Sequence, residues 1–503
     1  MKKETVGRNS MRKRKGIISI LGLSFLIILS YLCFITIKNK ASINAMDTLS
    51  ININGSDILL QGEGEYNSLN VDQLSSTTSN KLTINNINNI EKIKIDDKEI
   101  ELHKEVNFNV EQISKDKKIK ISVLYKGKNK YSNYYINSYS TVFPAYEVSA
   151  NSPYEGEYYL TTHNEKHNYI FKLDNDGNLI FYKKVESNPF DFKKIVTEDN
   201  KIRYGYLVVD KDSERISGVG YSPTKLVIMD ENYNEINTIK MSEYNEIEEG
   251  SSLENHDFIY LDDNHYILSS YQVVTPNNIP EELSKGNETQ VVAQVLQEVK
   301  DNEVIWQWVS TDYEELYYMS EEYNTFSEDS DTPLDYVHFN SITIDPNDNN
   351  FICSFRNTDS VVKLDRESGE ILWILGGKYD EFGLTKEQLF SRQHHVRITE
   401  EGYLTIYDNG VENEDSRAIK IKIDEKNKTI TDFKEYDVDK FYKYTGSVQE
   451  IDSENEVFLI GVGTQVGVDQ DLVAMEKNYS TGEVYFKFSF NSGENLYRCY
   501  KFE

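Results

Sequence analysis

One phrase, made of two short strands joined by a polar turn, recurs six times after residue 144 of this 503-residue chain. The copies are Y-I-F-K-L-D-N-D-G-N-L-I-F-Y, K-L-V-I-M-D-E-N-Y-N-E-I-N-T, A-Q-V-L-Q-E-V-K-D-N-E-V-I-W-Q-W, S-V-V-K-L-D-R-E-S-G-E-I-L-W, A-I-K-I-K-I-D-E-K-N-K-T-I-T-D-F and L-V-A-M-E-K-N-Y-S-T-G-E-V-Y-F. Their spacing of about 50 to 70 residues is long for a four-stranded blade but leaves room for loop insertions. The repeat therefore predicts an all-β chain in which residues 144–503 form a six-bladed β-propeller.

A second, larger β-sandwich is the alternative, since alternating strands alone do not distinguish the two folds. A sandwich has no reason to repeat a two-strand phrase six times, whereas each propeller blade must bury its faces on its neighbours. Turns such as D-N-D-G lack the complete pattern of a calcium loop and are typical of hairpins. The propeller is the favoured interpretation.

Residues 47–143 differ from the repeats in composition, being rich in Asn, Lys, Ser and Ile. Short alternating stretches are separated by polar turns at the spacing of a β-sandwich. These stretches are S-I-N-I-N, K-L-T-I-N-N-I, I-E-K-I-K-I, V-N-F-N-V and K-I-K-I-S-V-L-Y-K-G. We expect a small β-sandwich without chemistry of its own, and pairing into a homodimer is a role open to it.

Residues 1–46 predict a membrane anchor. Seven Lys and Arg residues precede an uncharged run from residue 16 to residue 37, which as a helix is roughly 33 Å long and spans a bilayer. The positive charge before the run keeps the N-terminus in the cytoplasm. We therefore expect a single-pass protein of the cell membrane with its catalytic domain on the extracytoplasmic side, with a cleaved signal peptide as the alternative.

The charge balance excludes one class of partner. The chain has 84 acidic and 54 basic residues, a net charge of -30, whereas a nucleic-acid-binding protein needs a basic surface. An anionic substrate would need a pocket of local positive charge to overcome the repulsion from this net negative charge. Cys353 and Cys499 either pair or remain free thiols, because sequence cannot establish their proximity.

Three histidines occupy matching places in the repeats. Each of His256, His338 and His394 begins a segment of strand, polar turn and second strand. If these strands are the innermost of their blades, equivalent positions converge on the central channel, where convergent polar groups mark binding sites. The register predicts a catalytic ring of imidazoles on the propeller axis.

Two further residues join this predicted ring. Arg356 lies about as far after the turn at residues 345–350 as His338 lies before it, so the two are expected to be cross-strand neighbours. Asn340, two residues beyond His338, is expected on the same strand face, as a substrate contact or a satisfied buried amide. Such a donor-rich pocket suits a tetrahedral oxyanion. A metal site is disfavoured, because an arginine opposes a cation and no H-E-x-x-H or C-x-x-C signature is present.

The remaining histidines are expected to be structural: His103, His163, His167 and His265. His395 adjoins His394, but consecutive strand residues face opposite sides. We therefore expect His394, and not His395, to point at the axis.

The chain resembles the bacterial aryl sulfotransferases that work without an adenylyl sulfate donor, the arylsulfate sulfotransferases. The matching motifs are D-Y-V-H-F-N-S-I (335–342), S-F-R-N-T-D-S-V-V-K-L-D (354–365), I-L-W-I-L-G-G (371–377), F-S-R-Q-H-H-V (390–396), Y-D-N-G (407–410), S-R-A (416–418) and G-S-V-Q (446–449). They cover the predicted propeller well and the N-terminal domain loosely. The chain departs from the family in carrying His395 where a small or acidic residue usually follows the nucleophile.

The resemblance implies a six-bladed propeller preceded by a sandwich, and sulfuryl transfer from a phenolic sulfate ester to another phenol without a cofactor. It assigns the nucleophile to His394, through a sulfohistidine and ping-pong exchange, and sulfuryl binding to His256, His338 and Arg356. The expected partners are small phenolic sulfates and phenols. Two other functions remain open: an aryl sulfate hydrolase, in which water resolves the intermediate, and a surface binding propeller without turnover.

Overall fold

The computed structural model describes residues 48–53, 56–61, 64–66, 80–85, 87–95, 97–102, 106–108, 118–137, 143–163, 167–284, 288–322, 324–327, 332–464, 472–491 and 495–503. The chain divides into two compact units. The N-terminal unit comprises residues 1–74 and 78–140, and the C-terminal unit comprises residues 75–77 and 141–503.

The described part of the N-terminal unit consists of two sheets. Its strands are β1 (Thr48–Ile53), β2 (Ser56–Gln61), β3 (Gly64–Tyr66), β4 (Asn80–Ile84), β5 (Ile90–Ile95), β6 (Lys98–Ile100), β7 (Val106–Phe108), β8 (Lys118–Tyr125) and β9 (Ser132–Asn137). One sheet has the order β2-β1-β4-β7, and the other has the order β3-β9-β8-β5-β6. The five strands expected from sequence are present as β1, β4, β5, β7 and β8, and apolar side chains such as Leu49, Ile93 and Val123 are fully buried.

The C-terminal unit is built almost entirely from short antiparallel strands. They are β10 (Tyr146–Ala150), β11 (Glu157–Thr161), β12 (Tyr169–Leu173), β13 (Leu179–Lys184), β14 (Pro189–Val196), β15 (Ile202–Val209), β16 (Thr224–Met229), β17 (Glu235–Ile239), β18 (Ile259–Asp262), β19 (His265–Val274), β20 (Val291–Lys300), β21 (Glu303–Val309), β22 (Phe339–Ile344), β23 (Phe351–Phe355), β24 (Ser360–Leu364), β25 (Ile371–Gly376), β26 (His394–Ile398), β27 (Tyr403–Asp408), β28 (Arg417–Asp424), β29 (Thr429–Asp437), β30 (Ser447–Asp452), β31 (Val457–Gly461), β32 (Ala474–Asn478), β33 (Val484–Phe490) and β34 (Cys499–Phe502). One α-helix, α1 (Glu315–Met319), and 3-10 turns at Ser310–Asp312 and Arg356–Thr358 complete the described elements of this unit.

These strands form six antiparallel sheets that follow one another along the chain. Four of them are the consecutive sets β14 to β17, β18 to β21, β22 to β25 and β26 to β29. Each of the other two sheets combines strands from the beginning and the end of this unit: β34 joins β11, β12 and β13, and β10 joins β30 to β33. Successive sheets pack together, as β22 does with β26, β27 with β30, β31 with β34, and β11 with β14. Apolar side chains of β14 to β16 pack with those of β18 to β20, and those of β19 to β21 pack with those of β22 to β25. Each sheet therefore packs on the next, and the last packs on the first, in a closed cycle.

Each of the six repeated phrases forms one hairpin of one sheet, for example β24 with β25 and β28 with β29, and in five of the six sheets this hairpin is the pair of strands at one edge. Burial falls toward the outer edge of a sheet: five of the six residues of β27 are buried, whereas eight of the nine residues of β29, at the edge of the same sheet, are exposed or half-buried. Strands covered on both faces are uniformly apolar, and strands with one wet face alternate. The predicted phrase and its hairpin turn are confirmed.

The Asp-rich turns act as hairpin connections. In the first phrase the Asp174 carboxylate accepts hydrogen bonds from the backbone N–H groups of Asp176 (3.0 Å) and Asn178 (2.8 Å). Gly177 has φ +80°, and a Cβ there would lie 2.3 Å from Val148 Cγ1, so the turn requires glycine.

Within the described residues no helix has the length and apolar character needed to cross a membrane. The helix α1 has five residues, which corresponds to about 8 Å against about 30 Å of hydrocarbon. This finding corrects the predicted single-pass localisation in the cell membrane. The apolar run at residues 16–37, on which that prediction was based, lies outside the described residues, as does His103.

Cys353 and Cys499 are both free and buried. Burial raises the pKa of both thiols, so they are inert groups of the core and not reactive thiolates. Of the two alternatives left open by the sequence, a disulfide and two free thiols, the structure shows two free thiols.

Candidate active site

The structure brings His256, His338 and His394 together. The ring centroids of His256 and His338 are 5.0 Å apart, and those of His256 and His394 are 5.8 Å apart. All three side chains are at least nine-tenths buried. We call these three residues the histidine cluster.

The cluster forms because each histidine stands at or just before the first strand of its sheet. His394 is the first residue of β26, His338 directly precedes β22, and His256 lies three residues before β18. His338 adopts the left-handed conformation, with φ 54°. Non-glycine residues rarely adopt this conformation, and it concentrates where the surrounding fold holds a functional group in place.

Carboxylates hold two of the three imidazoles. Nδ1 of His256 is hydrogen-bonded to Glu254, and Nδ1 of His338 lies 2.5 Å from Asp335 Oδ2. Each Nε2 therefore points away from its carboxylate. Sequence reasoning missed both acids, although each stands only two or three residues before its histidine, in E-N-H and D-Y-V-H.

Glu254 is fully buried, and its burial raises its pKa to about 8. Burial is also the largest cause that lowers the pKa of His256, followed by the charge of His338. At neutral pH the Glu254–His256 pair consequently holds two protons. One lies in the hydrogen bond at Nδ1, and the other makes Nε2 of His256 a donor, whichever partner carries the formal charge.

A backbone carbonyl, and not a carboxylate, holds His394. Nδ1 of His394 lies 2.7 Å from the Gly446 carbonyl oxygen, and because a carbonyl only accepts, Nδ1 carries the proton. Burial first, and then the charge of Arg498, lowers the pKa of His394 well below its ordinary value. His394 is therefore neutral with a lone pair on Nε2, which accepts a long hydrogen bond of 3.4 Å from the Tyr497 hydroxyl.

Arg356 directly follows β23 and is the neighbour of His338 that its spacing predicted. Its backbone N–H donates to the His338 carbonyl oxygen at 2.9 Å. One guanidinium nitrogen, Nη1, donates to Glu322 Oε2 (2.9 Å) and Asn357 Oδ1 (2.6 Å). Among the described residues its Nη2 and Nε have no hydrogen-bond partner, so a planar pair of donors is available.

A cavity of about 890 Å³ opens onto this arrangement. His338 and Arg356 line it, together with residues 215–220 and Tyr444. A Cβ on Gly220 would lie 3.9 Å from His338 Cε1, so the loop runs directly beside the imidazole. We call this space the site cavity. His256 and His394 do not line it, and the His256 ring packs on that of His338.

Asn340 does not line the site cavity. A bulge between Phe339 and Ser341 interrupts the alternation of β22, and the Asn340 amide nitrogen donates to the Gln393 carbonyl oxygen at 2.7 Å. Asn340 thus ties β22 to the residue before His394. Its predicted contact with substrate stays a prediction.

The other histidines lie apart from the cluster or serve it indirectly. The His265 ring is bonded to Glu298 at 2.6 Å, and the His163 ring packs on Tyr497 with 6.0 Å between centroids. His395 shares no contact with His256 or His338, and its ring lies 5.5 Å from that of Tyr500. One group in the described chain has the spacing of metal ligands: Glu198, Asp262 and His265 lie within 4.8 Å of one another at the turn after β18, outside the cluster.

Five charged side chains fill the interior beside the cluster, and we call them the buried ion cluster: Asp191, Lys193, Asp257, Arg397 and Arg498. Arg498 is fully buried and lies 2.8 Å from Asp191 and 3.5 Å from Asp257. Lys193 contacts both carboxylates, at 2.7 Å and 2.9 Å, and Arg397 lies 2.8 Å from Asp257. Sequence reasoning missed this cluster, because its members are scattered over more than 300 residues.

Comparison with known proteins gives a family. Solved structures with some likeness include a protein of unknown function from Bacteroides caccae (TM-score 0.38, 9% identity, 70% of this chain and 100% of that chain). They also include the periplasmic gluconolactonase of Pseudomonas aeruginosa (TM-score 0.37, 9% identity, 68% and 98%) and virginiamycin B lyase from Staphylococcus aureus (TM-score 0.28, 8% identity, 69% and 99%). At such low TM-scores these structures carry no argument about this chain, and no curated protein matches it. The family model Arylsulfotransferase (ASST) matches residues 141–501, more than half of the chain. The resemblance seen in the sequence is confirmed, and the chain belongs to the arylsulfotransferase family.

Proposed function

We propose that the protein moves a sulfuryl group from a phenolic sulfate ester to a second phenol by a ping-pong mechanism, without an adenylyl sulfate donor. Family membership supports aryl sulfotransferase activity in general. The observation that carries the finer proposal is the bond from His394 Nδ1 to the Gly446 carbonyl, which leaves a lone pair on Nε2 of a neutral, buried imidazole.

In the first step, His394 Nε2 attacks the sulfur atom of the donor ester. An N–S bond forms and the S–O bond to the aryl group breaks, so the phenolate leaves with the bonding electron pair. In the second step the oxygen of an acceptor phenol attacks the same sulfur, and the N–S bond returns its electrons to His394.

The surrounding groups stabilise the charge that develops on the sulfuryl oxygens. Arg356 offers two parallel N–H donors, the geometry that suits a tetrahedral oxyanion. His256 adds the Nε2–H that its pairing with Glu254 maintains. Because these donors are fixed before the reaction, they need no reorganisation in the transition state.

His338 is placed to serve the phenol oxygen. It lines the site cavity, and Asp335 fixes its ring through Nδ1. In this proposal it gives a proton to the departing phenolate and takes one from the incoming phenol, which balances the protons over the full cycle.

The six sheets of the C-terminal unit are, in this proposal, the six blades of a β-propeller. Their closed cycle and the position of each histidine at the start of a first strand support it. The first strands then converge at the centre, where the histidine cluster lies.

The test is to mix the purified protein with a chromogenic aryl sulfate, with and without a second phenol, and to measure release of the chromophore. Trapped protein is digested and examined by mass spectrometry for a sulfuryl adduct. We expect an adduct on His394 that added phenol discharges, with release accelerated by phenol. His395→Gln is the matched control, since it removes the adjacent imidazole and is expected to retain the adduct. Discharge by water alone would mean a hydrolase, and absence of adduct and turnover with varied donors would mean a binding protein.

A further inference from the structure

A second cavity, of about 570 Å³, is distinct from the site cavity and shares no lining residue with it. It is lined by the ends of β14, β26, β30 and β34 and by the turn that follows β26. The strand β26 begins at His394 of the histidine cluster and contributes His395, Arg397 and Ile398 to this space. We call it the far cavity.

His395 lines the far cavity and is 1% exposed. Its Nδ1 accepts a hydrogen bond from the Val448 backbone N–H at 3.3 Å. Burial lowers the pKa of His395 well below its ordinary value, so the ring is neutral and its one proton is on Nε2. That buried Nε2 has no partner among the described residues. A buried donor without an acceptor is costly, and its presence beside a cavity indicates a ligand that supplies the acceptor.

The inner wall of the far cavity carries an excess of positive charge. The buried ion cluster contains three cations, Lys193, Arg397 and Arg498, and two carboxylates, Asp191 and Asp257. Lys193 and Arg397 line the cavity directly. Inside a protein an uncompensated charge is expensive unless a counter-charge approaches it, so the wall favours an anion.

The acidic residues of this cavity do not cancel the excess. Glu450 is paired with Lys420, and Glu400 and Glu401 are exposed at the mouth, where solvent and salt screen them within roughly 8 Å. The remaining wall is apolar and aromatic. Tyr500 and Phe502 stack with 5.9 Å between ring centroids, and Val448 and Ile451 also line the space.

We propose that the far cavity is a second ligand site that binds a small aromatic carboxylate, whose carboxylate accepts from His395 Nε2 and faces Arg397 and Lys193. Its ring lies against Tyr500 and Phe502. The proposal does not depend on the chemistry of the site cavity, because no member of the histidine cluster lines the far cavity.

The test uses benzoate as the probe and benzamide as its neutral analogue. Protein labelled with ¹⁵N in its imidazoles is titrated with each, and the Nε2 resonance of His395 is followed. We expect saturable binding of benzoate with a shift at His395 Nε2, and binding of benzamide at least about tenfold weaker, since hydrogen bonds to charged groups are the stronger ones. His395→Phe should weaken benzoate binding by about tenfold or more for the same reason.

Ile451→Trp provides a second variant that keeps every polar group and fills the cavity from its apolar wall. It should abolish the shift while the protein stays folded, as judged by its circular dichroism. Benzoate binding that survives Ile451→Trp, or that is lost in Arg356→Gln, would place the probe in the site cavity and overturn the proposal. Equal affinity for benzoate and benzamide, or no saturable shift at His395, would also overturn it.

Discussion

Two neighbouring residues of β26 have opposite protonation patterns: His394, in the histidine cluster, and His395, on the wall of the far cavity. His394 donates from Nδ1 to the Gly446 carbonyl and keeps a lone pair on Nε2. His395 accepts at Nδ1 from the Val448 N–H and keeps a proton on Nε2. Both rings are buried and neutral. The backbone group that each ring meets therefore decides which is a nucleophile and which is a donor.

The residues around His394 and around His395 differ in the same way as the two rings. The His256 ring lies beside His394, and His338 shares the site cavity with the Arg356 guanidinium and its unpaired donors, as transfer of an anionic group requires. Around His395 the cations are already engaged with carboxylates, and only a net excess remains. The first arrangement is suited to chemistry and the second to binding.

The largest expected effect is a loss of kcat when the lone pair of His394 is removed. His394→Ala should lower kcat for donor cleavage by at least about 10⁴-fold, the scale seen when a nucleophile is removed. His395→Gln should stay within about tenfold of wild type, because it contributes no atom to the reaction. Initial rates of chromophore release measure both. Equal losses of kcat in the two variants would contradict the different roles assigned to the two histidines.

The next largest effect is expected at the buried ion cluster, of which Lys193 and Arg397 line the far cavity. Arg498→Met leaves Asp191 and Asp257 with less compensation in the interior, and we expect the free energy of unfolding to fall by about 3 kcal/mol or more. Lys434→Met is the matched control: it removes a cation that is 45% exposed and paired with Glu456, and should cost about 1 kcal/mol or less. Denaturant unfolding compares them. A small loss at Arg498 would mean that Lys193 and Arg397 suffice to hold the two carboxylates.

The fold was predictable from sequence where its pattern is local. The repeated phrase gives one hairpin of every sheet, because a two-strand hairpin is specified by its own apolar strands and turn. The pairing of β11 with β34, which joins Glu157 to Phe502, leaves no local signature. The strands β2, β3, β6 and β9 of the N-terminal unit were missed because they are short or weakly alternating.

The site residues were predictable from sequence where they occupy equivalent positions in the repeats. The register of the repeats brought the three histidines together, and the turn geometry brought Arg356 to His338. Gly446 could not be found, since its contribution is a backbone carbonyl that any residue possesses. Asn340 was expected on the face of His338, but the bulge in β22 breaks the two-residue period on which that expectation depended.

A smaller effect tests the geometry of the oxyanion donors in the site cavity. Arg356→Lys retains the charge and removes the planar fork, so kcat/KM for the donor should fall by about 10² to 10³. Arg215→Lys, on the exposed rim of the same cavity, should fall by less than about tenfold, because no paired donor geometry is lost there. A near wild-type kcat/KM for Arg356→Lys would remove the fork from the mechanism.

The smallest expected effect is a change of kcat/KM with pH, and it tests the Glu254–His256 pair specifically. The raised pKa of Glu254, about 8, means that the pair holds its second proton below pH 8 and loses it above. His256 Nε2 then ceases to donate, so kcat/KM for a donor without other titrating groups should be about tenfold lower at pH 9 than at pH 7.

In Glu254→Gln the amide donates to Nδ1 at every pH and so preserves the Nε2–H. This variant should lie within about threefold of wild type at pH 7 and lose the alkaline decline. A decline of unchanged position in Glu254→Gln would assign the titration to another group, and His256 would then bind the sulfuryl oxygens without help from its carboxyl partner. The far cavity supplies the internal reference: benzoate is fully ionised and His395 neutral across this range, so its binding should not change between pH 7 and pH 9.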